Sequence, residues 1–225
     1  MRRLLILSVA MVAMLFGGAA RAAEEEQLLV DRARTTVQTL AAQNDLGDMR
    51  RLLVRARGVY IVPQLLKAGF IIGGEGGSGV LLARDAKTGE WSPPAFYSMA
   101  AGSIGLQIGG ELSEVILVIM TPKGMDAVLK NEFKAGVDAS IAVGPVGAGV
   151  EASTTTAVGA DIYAFSKSKG LFGGVSVEGA VITARHSMNQ AYYGRAYPIR
   201  DLLYGNVPAP ATQPLRTALK NAESR

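Results

Sequence analysis

Residues 71–82 read IIGGEGGSGVLL, with five glycines between positions 73 and 79 framed by apolar runs. No other stretch limits the fold so sharply. Gly74 to Gly79 satisfies G-x-G-x-x-G, and that pattern binds a dinucleotide only where a strand precedes it and a helix N-terminus follows to face the pyrophosphate. Here VLLARDAKTG follows, which breaks at the polar turn Asp85–Gly89 and leaves no room for a helix before Trp91. A Gly-Lys-Ser/Thr ending, which a P-loop would need, is also missing. With 27 glycines in the chain, a chance match is easy. The glycines are therefore read as structural, permitting close strand approach, a bulge or a sharp turn in a bent strand pair.

The first 22 residues, MRRLLILSVAMVAMLFGGAARA, have a different character. Arg2 and Arg3 precede an apolar run from Leu4 to Phe16, and Ala20-Arg21-Ala22 supplies small residues around a cleavage site, the layout of a secretory signal peptide. The apolar run is short for a transmembrane span. Exported, and periplasmic, is the expected location. The chain carries 23 Lys+Arg against 19 Asp+Glu. Three of those arginines lie in residues 1–22, so the remainder balances at 20 against 19. The basic character thus belongs mostly to the leader and gives no case for nucleic acid; any basic function needs a local patch. With no cysteine and a single histidine, His186, disulfides and thiolate or histidine-rich metal sites are excluded, and no cofactor is expected.

Leu29, Ala33, Val37 and Leu40 form one apolar stripe, which predicts a helix from Glu24 to about Ala42. A second short helix is expected over Asp45–Arg57, with Met49, Leu52, Leu53 and Ala56 on one face and Arg50, Arg51, Arg55 and Arg57 on the other. After Gly58 the period becomes that of strands: Val59–Val62, limited or placed at an edge by Pro63, then Gly69–Gly74, Val80–Arg84, Trp91–Met99 and the buried run Glu114–Met120. Thr121-Pro122 is an N-cap followed by proline at the first helical position. The helix it opens is expected to show Met125, Val128, Leu129 and Phe133 on its apolar face and to stop at Gly136. Glycine-punctuated extended segments follow to about Arg185, then a short helix, a proline-rich loop and a polar tail. The fold class is α+β: one domain, a glycine-rich, curved, mainly antiparallel sheet with N-terminal helices, one central helix and a short C-terminal helix. The expected division is a signal peptide over 1–22, the domain over 23–210 and a polar tail over 211–225.

In order along the chain, ARGVYIVPQLLKAGF, GGSGVLLAR, GEWSPP, GGELSEVILVI, AVGPVGAG, YAFSKSKGLFGGVSVEG and YGNVPAP resemble the SYLF domain family, from about Leu28 to Pro210. The resemblance implies a compact α+β domain that binds anionic phospholipids, phosphoinositides in eukaryotic members, with no catalytic residues. In fungi such domains are described as actin regulators.

Candidate headgroup contacts are Arg50, Arg51, Arg55 and Arg57, whose guanidinium forks match phosphate oxygens, together with Lys67, Lys167 and Lys169. Each competes with a solvated surface role. Leu171 and Phe172 are candidate apolar tips entering a bilayer, against core packing. Trp91 is assigned to the core rather than to a membrane interface. Glu75, Glu111 and Glu178 are read as inward-facing or edge charges, and His186 as a surface or strand-end residue. Around Ser78, Ser176 and Ser187 there is no G-x-S-x-G elbow for a hydrolase. The alternative to lipid binding is a cell-envelope structural module with a protein partner.

Overall fold

The computed structural model describes residues 23–43, 47–69, 72–104, 109–143, 159–169, 177 and 179–224. The apolar stripes read from the sequence form helix α1 over residues 23–41 and helix α2 over Gly47–Leu53. Ala33, Val37 and Leu40 of α1 and Met49 and Leu53 of α2 are fully buried, joined by Val30. The strands are β1 Gly58–Gly69, β2 Ile72–Ala83, β3 Ala95–Ile104, β4 Gly109–Ile119, β5 Glu132–Lys134, β6 Ile141–Val143, β7 Ile162–Lys169 and β8 Val181–Ala184. They form one sheet in the order β5-β8-β3-β2-β1-β4-β7-β6. All pairings are antiparallel except β6 with β7.

The sheet must curl. Laid flat, eight strands at about 4.8 Å spacing would hold the edge strands roughly 34 Å apart. Yet β5 and β6, the two edges, are joined by residues 135–140, which reach roughly 25 Å at full extension. Inside the curl, Tyr60, Val62, Leu65, Tyr97, Met99, Val115 and Leu117 pack with Phe133, Ile182 and the helices α3 Pro122–Val128 and α5 Ile199–Tyr204. Outside it, Val59, Ile61, Val80, Leu82, Phe96, Ile116 and Phe165 are covered by α1, α2, α4 His186–Tyr193 and α6 Gln213–Glu223. Alternate residues of one strand thus enter two cores, which explains why Val59–Val62 is apolar without a break.

Several sequence expectations change here. Pro63 neither ends β1 nor marks an edge. The strand is central and continues to Gly69, and the register shifts between Ile61 and Leu66 towards β2 and between Val62 and Leu65 towards β4. A bulge is one of the few places a central strand admits proline. The expected strands Gly69–Gly74 and Val80–Arg84 are parts of β1 and of the single strand β2. Gly77 and Gly79 explain the glycine motif: a Cβ at either would collide with backbone oxygens of β1, Gln64 O for Gly77 and Ile61 O for Gly79. Close approach at the bulge is the use these glycines serve.

Thr121 caps α3 as expected, its hydroxyl accepting from the Gly124 amide at 3.0 Å. The helix, however, stops at Val128, and Phe133 lies on β5, buried inside the curl. Gly136 takes a left-handed conformation (φ 83°) in the β5–β6 turn, not at a helix end. The C-terminal tail is replaced by α6, which buries Leu215, Ala218, Leu219 and Ala222.

Candidate functional site

The basic residues singled out by sequence fall into two groups at opposite ends of the sheet. Arg57 precedes β1 and Lys67 lies ten positions along it, a separation of about 30 Å at roughly 3.3 Å per residue. At the first end, α2 stops at Leu53, so Arg55 and Arg57 lie beyond the helix and share no face with Arg50 and Arg51. Arg50 is half-buried and donates to the carbonyls of Ala41 (2.8 Å) and Gln43 (3.1 Å), closing the C-terminus of α1. Arg51 is exposed and paired with Asp48. Arg55 and Arg57 are exposed. The single amphipathic arginine face expected from the helical wheel is not formed.

At the second end the strands project past α1. That helix crosses the outer face where Arg32 Nη1 donates to Gln64 Oε1 (2.9 Å) and Thr36 Oγ1 donates to Glu114 Oε1 (3.2 Å). One row further, Leu66 and Leu112 stand opposite each other, 54% and 46% exposed. Lys167 is in register with Glu114 and Lys169 with Leu112 on the neighbouring β7. Arg32 and Lys167 therefore border a leucine pair left open to solvent, and Lys169 holds the register position opposite Leu112. Sequence reading missed the pair because QLLKAG shows apolar residues without saying that α1 ends its cover one row short. Leu171, Phe172, Ser176 and Glu178 lie outside the described residues.

The inner face at this end holds a row of charges. Lys67 is in register with Glu75 on β2 and with Glu111 on β4. Both acids are buried, at 4% and 2% exposure. Burial pushes the Glu75 carboxyl above the ordinary range, opposed by the Lys67 charge and assisted by that of Glu111. Ser113 Oγ donates to Glu111 Oε1 at 3.3 Å. The inward-facing reading of Glu75 and Glu111 thus holds. The only sequence sign of it is parity: both share strand alternation with core residues.

Elsewhere, Trp91 is 2% exposed and its Nε1 donates to Glu223 Oε1 of α6 at 2.7 Å, as a core residue. His186 is exposed and begins α4. Among the described residues no helix is long and apolar enough to cross a membrane.

These features define an α+β domain on a curled eight-stranded sheet whose notable side chains lie on surfaces and in one buried charged row. Residues 100–222 match the family described as Ysc84, Las17-binding protein actin regulator. LAS seventeen-binding protein 3 of Saccharomyces cerevisiae is 40% identical over 177 residues, 76% of this chain and 38% of the yeast protein. Protein YSC84 of the same yeast is 36% identical over 174 residues, 76% of this chain and 37% of that protein. The human SH3 domain-containing YSC84-like protein 1 is 32% identical over 161 residues, 71% of this chain and 46% of that protein. The chain belongs to this Ysc84, or SYLF domain, family. It spans less than half the length of these relatives, of which the first is named as a binding protein.

Proposed function

We propose that this protein is a non-enzymatic, exported module that binds anionic phospholipid surfaces from the periplasmic side, through the hairpin end of its sheet. The observation that carries the reading is the half-exposed Leu66–Leu112 pair bordered by Arg32 and Lys167, with Lys169 at the register position opposite Leu112. Shallow burial of two leucines supplies an apolar contact, and each cation near an anionic surface adds about 1 kcal/mol, weakened by salt. The arginine end is the weaker candidate, because Arg50 serves α1 and Arg51 is paired.

Flotation with phosphatidylcholine vesicles, with and without phosphatidylglycerol or cardiolipin, tests it. Anionic vesicles alone should carry the protein, and added salt should release it. The double change Lys167→Gln/Lys169→Gln should weaken binding about thirtyfold at low salt, and Leu66→Gln/Leu112→Gln should weaken it comparably. The triple change Arg51→Gln/Arg55→Gln/Arg57→Gln, which spares the Arg50 cap, should have little effect. The reverse pattern would move the contact to the other end of the sheet. No flotation on any vesicle would defeat lipid binding and leave a protein partner as the function. That second reading draws on the name of the yeast relative, a LAS seventeen-binding protein.

A further inference from the structure

The charged row inside the curl is unlike the surface described above, and nothing in lipid-surface binding uses it. Successive inner-face rows can be read from the register. Met99 opposes Gly77, and Leu65 opposes Ser113; Met99 and Leu65 belong to the apolar core. The next row is Ala101–Glu75–Lys67–Glu111. Beyond it, towards the end of the sheet, come Gly73, Gly69 and Gly109, three backbones side by side with no side chain. The row is thus flanked by an apolar floor on one side and by glycines on the other.

Charge is not balanced there. Glu75 and Glu111 bring two carboxylates and Lys67 one ammonium, so among the described residues even a lysine turned wholly onto one acid leaves the other uncompensated. Glu75 Oε1 and Glu111 Oε2 are buried and find no hydrogen-bond partner among the described residues. A buried carboxylate without a donor is costly, and removing it from water demands either a cation or a proton. A divalent metal fits poorly. Such ions take six or more oxygens, and no group of three metal-ligating side chains occurs among the described residues. Lys67 would also repel the double charge.

We propose that the Glu75–Lys67–Glu111 row is a binding site for a protonated primary amine, whose ammonium donates to Glu75 Oε1 and Glu111 Oε2. One ammonium brings three donors and a single positive charge, which matches the two orphaned acceptors and the one uncompensated charge. Gly69, Gly73 and Gly109 put no side chain of their own beside the two acids on the side towards the end of the sheet. The amine is either a small free molecule or an aminoethyl headgroup carried by a lipid. A proton on Glu75 competes with the ligand, because burial holds that carboxyl above its usual range while Lys67 and Glu111 oppose each other in shifting it. Binding therefore tightens as pH rises through the carboxylate range, where the amine itself stays protonated.

The test titrates the full-length protein with ethanolamine hydrochloride and follows the amide resonances of Glu75, Lys67 and Glu111, with sodium chloride and glycerol as matched controls. A saturable shift with ethanolamine alone is expected. Glu75→Gln or Glu111→Gln should weaken it about tenfold or more, since each removes a charge-assisted hydrogen bond. Lys67→Met should strengthen it by removing the competing ammonium, a change that mere structural damage would not produce. A second arm compares phosphatidylcholine vesicles with and without phosphatidylethanolamine. Increased flotation that depends on Glu75 assigns the amine to a lipid, whereas a response to free ethanolamine without that increase assigns it to a soluble molecule. Absence of a saturable shift, an equal response to sodium chloride or glycerol, or unchanged affinity in Glu75→Gln would each overturn the site. None of these results depends on whether anionic vesicles bind the outer leucine pair.

Discussion

Gly77 and Gly74 lie three positions apart on one strand and carry different constraints. A Cβ at Gly77 would strike Gln64 O and lie 3.0 Å from Val62 Cγ1, whereas at Gly74 the nearest atom is Ala101 O at 3.7 Å. Gly77→Ala should cost about 2–4 kcal/mol, because it forces the bulged backbone of β1 apart. Gly74→Ala should be within about 0.5 kcal/mol of neutral. Chemical denaturation of the two variants side by side checks the contrast.

Asp161 is the residue-scale counterpart on the polar side. It accepts from Thr121 Oγ1 (2.6 Å), from the Ser140 amide (3.0 Å) and from Ser140 Oγ (2.9 Å), and pairs with Lys123 Nζ at 3.2 Å. These donors, Thr121 foremost, hold its carboxyl well below the usual aspartate range. A depressed folded-state pKa contributes stability that is present above the unfolded value and lost as pH falls through the folded one. Asp161→Ala should therefore cost about 2–3 kcal/mol at neutral pH, and the gap between variant and parent should shrink in strong acid. Thermal unfolding measured across acidic pH tests the sign.

At the scale of elements, α6 shows how a polar-looking segment can be structural. Its sequence, QPLRTALKNAE, carries few apolar residues, but Leu215, Ala218, Leu219 and Ala222 share one stripe and all are buried. The helix is also tied at its far end, where Glu223 accepts from Trp91 Nε1 and pairs with Arg84 Nη2 at 3.0 Å. Two buried leucines alone represent about 3–6 kcal/mol. Deleting residues 211–225 should expose Trp91 and the outer core and abolish a cooperative unfolding transition, measured by near-UV circular dichroism. A cooperative transition in the truncated chain would show that α6 is dispensable. The central helix errs in the other direction. Phe133 continues the apolar spacing of α3, but β8 offers Glu132–Lys134 a strand partner, and the side chain of Phe133 fills the inside of the curl.

For the molecule as a whole, curling creates an inside and an outside from one sheet, and each strand serves both. The outer face is covered by helices except at the hairpin end, and there the leucine pair and its cations lie. On the inner face α3, α5 and aromatic side chains form the core, and at that same end it gives way to the buried charged row. The vesicle and amine experiments address two faces of one sheet end, and variants on one face leave the other intact.

Local pattern was enough for the α+β class, the apolar stripes of α1 and α2, the Thr121 cap, the structural use of the glycines and the burial of Trp91, because each depends on neighbours within a turn or a strand. The family resemblance was legible for a similar reason: it rests on short segments in order. Partnership across strands is a different matter. That β1 is central despite Pro63, that Arg57 and Lys67 stand at opposite ends, and that Glu75 and Glu111 flank one lysine all follow from register and curl. Alternation tells which residues share a face of their own strand; only packing decides which strand lies beside it and what covers that face.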